Sequence, residues 1–169
     1  MMDLAEVSAR LEIREALTRF CRGVDRGDAD LICSAYHPDA RDRHGAYDGD
    51  AAGLATLVIE DMDKAGYVGQ HMLSNTLMEI DGDSAKVESY WMVVHPEPTG
   101  MIWAGGRYLD RFECRAGEWK IAERLVVIDW SRAAEDPPPE RWAAHATLPQ
   151  GMRREADPSA GFFKNLIGA

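Results

Sequence analysis

Asp25 closes the stretch EIREALTRFCRGVD, whose apolar residues recur at helical spacing, and His71 opens the strand-like stretch HMLSN. A carboxylate in the last turn of a helix faces the negative end of the macrodipole, which disfavours it by a few tenths to about 1 kcal/mol. Angular spacing at 100° per residue sets Asp25 at the edge of the Leu17, Phe20 and Val24 stripe, half buried. Either Arg22 or Arg26 compensates it as a surface ion pair, or the carboxylate has a task. His71 carries the side chain that exchanges protons most readily near neutral pH. Alone it reads as a hydrogen-bonded residue at a strand end. The two signals gain weight only if the fold brings them together.

Further candidates lie on strand-like segments. Arg124 alternates onto a face with Ala122, Val126 and Ile128, an odd place for a guanidinium unless it lines a cavity. The alternative is an edge arginine bridging to Glu123 or Glu113. Tyr108 shares a face with Ala104, Gly106 and Phe112 and is either a pocket phenol or a core tyrosine. Asp42 and His44 alternate onto one face, so either could reach a pocket. As a metal site they fall short, offering two ligands with no third at suitable spacing. Cys21, Cys33 and Cys114 lack CxxC spacing and read as reduced fillers among apolar neighbours.

These residues must be positioned by elements that the chain announces clearly. Leu4 to about Asp25 reads as a long surface helix, with Glu6/Arg10 and Glu15/Arg19 as i, i+4 pairs on its outer side. Asp28 or Asp30 caps a short second helix expected to run through Tyr36 and stop before Pro38. HPDARDRHGAYDG reads as a short strand and turn, and Asp50 to about Lys64 as a third helix. The period then changes. Met72 to Ile80, Ala85 to His95, Met101 to Cys114 and Trp119 to Trp130 read as consecutive antiparallel strands separated by turn residues. Helices first and a meander afterwards predict an α+β fold over residues 1–131 with the sheet wrapped over the long helix. Residues 132–169 form a Pro-rich connector and a tail ending GFFKNLIGA. The apolar residues of that tail need covering, at a pocket mouth or against another subunit.

Length and charge limit the function classes. A chain of 169 residues, 46% of them hydrophobic, fits one domain with one core. The net charge of −10 argues against nucleic acid or an anionic membrane as partner and leaves a hydrophobic small molecule as the more natural ligand. No run of about 18 apolar residues occurs, and the N-terminus is charged and amphipathic, so a cytoplasmic protein is expected.

Helices ending in GVD, YHPDARDRHGAYDG after the second helix, a histidine opening the next strand, and GGRYLDRFECRAGEWKIAER together resemble the SnoaL-like branch of the nuclear transport factor 2 superfamily, over about Leu4 to Trp130. The resemblance implies a cone: a strongly curved, mostly antiparallel sheet closed by three N-terminal helices around a deep apolar pocket. It implies that Asp25 and His71 match the Asp/His dyad of the dehydratase and dehydrochlorinase members. In such a pair the carboxylate fixes the imidazole tautomer and raises the basicity of the other ring nitrogen. It also matches Arg124 to a pocket arginine that assists departure of chloride. Phe20 stands where those members carry a lysine or a tyrosine, which removes a polar group from the pocket. The implied activity is a lyase or isomerase working without cofactor or metal, most simply a dehydratase acting on a hydrophobic cyclic molecule. The alternative is a non-catalytic ligand-binding module or dioxygenase small subunit. Relatives with this dyad are often trimers, so a homo-oligomer is expected, trimer before dimer.

Overall fold

The protein is described here by a computed structural model covering residues 2–66, 68–97, 100–134 and 152–158. Helix α1 (Leu4–Arg26) starts where Asp3 accepts a hydrogen bond from the Glu6 amide at 2.8 Å. It ends at Gly27, whose φ of 68° allows the left-handed turn that closes the helix. Ile13, Ala16, Leu17, Phe20 and Val24 form its buried stripe. Helix α2 (Ala29–Ser34) is capped by Asp28 and is shorter than the sequence predicts. Tyr36 already belongs to strand β1 (Tyr36–His44). Proline at 38 disfavours helical backbone at the residue before it. The Ala35 carbonyl is taken by the Ile121 amide at 2.9 Å, and Tyr36 pairs with Ile121, so the chain leaves the helix directly into the sheet.

A three-residue strand β2 (Tyr47–Gly49) turns back on β1, and Asp50 caps helix α3 (Ala51–Ala65). The meander follows as β3 (Gln70–Asp81), β4 (Ser84–Glu97), β5 (Gly100–Arg115) and β6 (Glu118–Ala134). The single sheet has the order β2-β1-β6-β5-β4-β3, with β1 parallel to β6 and all other neighbours antiparallel. It is not closed into a barrel, because β2 and β3 remain its two edges. Helix α1 lies against β3 and β6 and supplies the wall that the sheet lacks.

The pairing shifts at Leu73/Thr76, Gly105/Gly106 and Arg111/Phe112, and such bulges bend and twist long strands. At Gly106 the approach is so close that a Cβ would collide with the Val127 carbonyl oxygen, so only glycine fits that bend.

Candidate functional site

Asp25 and His71 meet. The His71 Nδ1 lies 2.6 Å from Asp25 Oδ1, and the main-chain N–H of His71 donates to the same carboxylate at 2.9 and 3.1 Å. Asp25 belongs to the last turn of α1 and is buried, while His71 is the second residue of β3. The amide and imidazole N–H groups of β3 therefore supply the compensation that the helix end denies the carboxylate. An ionised carboxylate only accepts, so Nδ1 carries the hydrogen and Nε2 is left to take a proton.

His71 separates two spaces of different character. On one side is a cavity of about 240 Å³ lined by Phe20, Val24, Val58, Met62, Gly69 and Val93, with His44, His95, Asp61 and His71 as its polar groups. On the other is a more polar cleft of about 400 Å³ between α1 and β3, where Arg14, Thr18, Arg22, Arg26 and Gln70 stand beside Asp25. His71 thus borders both a partly apolar cavity and a more polar groove.

The remaining expected site residues divide. Phe20 lines the cavity and is also core, meeting Tyr36 and Tyr108 edge to face with ring centroids 5.8 Å away in each case. His44 lines the cavity as well. Arg124, Tyr108 and Asp42 are not among its lining residues: they are buried, and Arg124 and Tyr108 pack against the Phe20 ring. Tyr108 is core, stacked on Trp91 at 5.7 Å. Arg124 sits over the rings of Tyr108 and Phe20, 4.0 and 4.3 Å from their centroids. Its Nε and Nη2 each donate to Asp110 at 2.7 Å, and Nη1 donates to the Tyr36 hydroxyl at 3.2 Å. That hydroxyl donates in turn to Asp42 at 2.6 Å. The arginine expected as a donor to a leaving group is therefore spent on a buried carboxylate instead.

Asp110, Arg124 and Asp42 are register partners across β5, β6 and β1, so three charged side chains occupy one row of the inner face. Burial raises the Asp110 carboxyl above its usual range, and Arg124 opposes the shift. The two parallel bonds at 2.7 Å are the fork of a guanidinium–carboxylate pair. Burial likewise holds the Tyr36 and Tyr108 hydroxyls well above their ordinary range. Among the described residues, no group of three or more His, Cys, Asp or Glu side chains is arranged to hold a metal ion.

Sequence reasoning passed over Asp110 and His95. Asp110 alternates between Tyr108 and Phe112, so a charge on an apolar strand face was a visible signal of the same kind as Arg124. His95 gave none, since only the stacking of β4 beside β3 brings it to the cavity. At the other end of the chain, Met152–Pro158 lies against the C-terminal ends of α1 and α3. Arg153 reaches Asp63 at 3.1 Å and the Met62 sulfur at 3.3 Å, while Asp157 lies 3.4 Å from Arg26. Phe162 and Phe163, among the apolar tail residues expected to need covering, lie outside the described residues.

The family model of the SnoaL-like domain matches residues 5–125. The chain belongs to the SnoaL-like family. Its fold is that of the nuclear transport factor 2 superfamily. A curated relative of this SnoaL-like protein, the uncharacterized protein Rv2910c of Mycobacterium tuberculosis, is 27% identical over 131 residues, covering 74% of this chain and 88% of the relative. Among solved structures, the hexachlorocyclohexane dehydrochlorinase LinA-type3 of Novosphingobium barchaimii superposes with a TM-score of 0.70 at 18% identity, covering 81% of this chain and all 100% of that one. A candidate scytalone dehydratase from Novosphingobium aromaticivorans gives 0.66 at 15% identity, covering 79% and 91%. At such identities the likeness is one of fold. No described helix of the SnoaL-like chain is long and apolar enough to cross a membrane.

Proposed function

We propose that this SnoaL-like protein is a cofactor-independent lyase-type enzyme, a dehydratase that removes water from a small hydrophobic cyclic molecule, with His71 as general base and Asp25 as its orienting partner. The observation that carries this reading is the imidazole at the wall of an apolar cavity, its Nδ1 locked on a buried carboxylate at 2.6 Å. Such a base, aimed at a carbon-bound proton, contributes about 10²–10⁴-fold. The dehydrochlorinase and scytalone-dehydratase neighbours are named for eliminations of this kind, which supports the reaction class.

The test is turnover on small cyclic ketones carrying a leaving group β to the carbonyl, with wild-type protein and His71→Ala. Elimination that His71→Ala abolishes supports the enzyme. Ligand binding without elimination by the wild type points to the non-catalytic module.

The described part of the tail supports a lid. Arg153 and Asp157 fasten Met152–Pro158 next to Met62, which lines the cavity. The outer sheet face supports self-association. Leu77, Leu109 and Leu125 fall on one transverse row, and each is more than a third exposed. A second copy of the chain, trimer before dimer, is the proposed cover.

A further inference from the structure

A second aspartate–histidine pair stands beside the same cavity, and its histidine lines it. His44, the last residue of β1, lines it together with His71 from β3, and these strands lie toward opposite ends of the six-stranded sheet. The His44 Nδ1 stands 3.6 Å from Asp42 Oδ1. Both atoms are buried and lack any hydrogen-bond partner. Such orphans are costly, and here the two stand 3.6 Å apart, each the other's nearest ionic partner.

The row behind them explains why Asp42 needs this neighbour. Arg124 commits Nε and Nη2 to Asp110 and only Nη1 to Tyr36, so the guanidinium is matched by one carboxylate while the row holds two. Asp42 Oδ2 receives a neutral phenol, and Oδ1 is left for the imidazole. A buried carboxylate oxygen at that distance is placed to hold and orient the imidazole beside it. The side chain of His44 is 33% exposed and that of Asp42 fully buried, so of the two only His44 reaches the cavity.

We propose that His44, backed by Asp42, is the acid that protonates the departing oxygen while His71 removes the carbon-bound proton. The inference rests on the elimination reading above and divides its two proton transfers between two imidazoles. His71 Nε2 takes the proton from the carbon next to the carbonyl, and the electrons of that C–H bond become the new C=C bond. The adjacent C–O bond breaks with its electron pair on oxygen, which takes the His44 proton and leaves as water. His71 ends with one proton more and His44 with one fewer, and exchange with solvent restores both. Hydroxide is a poor leaving group and needs that proton; chloride departs without it.

The difference between leaving groups supplies the test. A β-hydroxycyclohexanone and the β-chloro ketone of the same ring are offered to wild type, His44→Gln, His44→Asn and His71→Ala, with loss of water or chloride followed by the absorbance of the enone. The expected result is that both His44 variants lose about 10²–10⁴-fold more on the hydroxy ketone than on the chloro ketone, while His71→Ala loses both. Retained chloride loss also reports that the variants are folded. Equal loss on both probes, or no loss on either, overturns the acid role while leaving the His71 base standing. Failure of the wild type on both probes, or full activity of His71→Ala, overturns the elimination reading itself and the inference with it.

Discussion

The carboxylate of Asp25 receives both the ring Nδ1 and the main-chain amide of His71, so one residue at the end of α1 fixes the position and tautomer of one residue at the start of β3. Asp25→Asn keeps the size and loses the charge. It is expected to lower elimination by roughly 10²–10⁴-fold with the far-ultraviolet circular dichroism unchanged. The double variant with His71→Ala is expected to be little worse than His71→Ala alone, because groups acting as one unit are not additive. Multiplied losses in steady-state kinetics would show that the two residues act separately.

Removing one partner of the buried Arg124–Asp110 pair leaves a charge without compensation. Asp110→Asn is expected to cost about 3–5 kcal/mol in urea unfolding, whereas exchanging both residues for apolar ones of similar volume costs much less. A single variant as stable as wild type would mean that the row is wetter than its burial implies.

Cys21 sets an alkaline limit. Burial, opposed by Arg124, raises its thiol from an ordinary 9.0 to about 12. A group whose folded pKa is raised keeps its contribution below the unfolded value and loses it as pH climbs toward the folded one. Stability is therefore expected to fall from pH 9.0 upward, and Cys21→Ala to fall less steeply over that window. Tyr36 and Tyr108, also held protonated by burial, add to the loss at higher pH. Thermal melts across the alkaline range read the slopes, and identical slopes for the two proteins would remove Cys21 from the account.

The tail is expected to act on ligand and not on fold. A chain ending at Ala134 should melt close to wild type yet bind a cyclic ketone more weakly, with Arg153→Ala showing part of the effect through the lost Asp63 and Met62 contacts. Titration calorimetry giving equal affinity for all three proteins would reject the lid.

Leu109 and Leu125, paired on β5 and β6, are expected to lie within a homo-oligomer interface. Light scattering should give the mass of a trimer for wild type and a smaller mass for Leu109→Asp. A monomer at micromolar concentration for wild type would defeat the assembly.

Local patterning carried most of the fold. The helical spacing of Ile13, Leu17, Phe20 and Val24, the caps at Asp28 and Asp50 and the alternation after Gln70 each rest on interactions within a few residues, and a sequence displays those directly. The early end of α2 was harder to read, because Tyr36 is drawn into the sheet by Ile121, which lies far along the chain. The same distinction governs the site. Asp25 and His71 were visible as an ill-placed carboxylate and a strand-opening histidine, but their 2.6 Å contact exists only because α1 lies against β3. Arg124 was rightly marked as a charge on an apolar face, yet its partner was decided by register. Asp110 and Asp42 are its neighbours across the ladder, so the guanidinium is consumed within the core and the cavity's polar groups are His44, Asp61, His71 and His95. A sequence shows which side chains share a face of their own strand. Which of them touch depends on how strands pair and helices dock, and those contacts join residues distant in the chain.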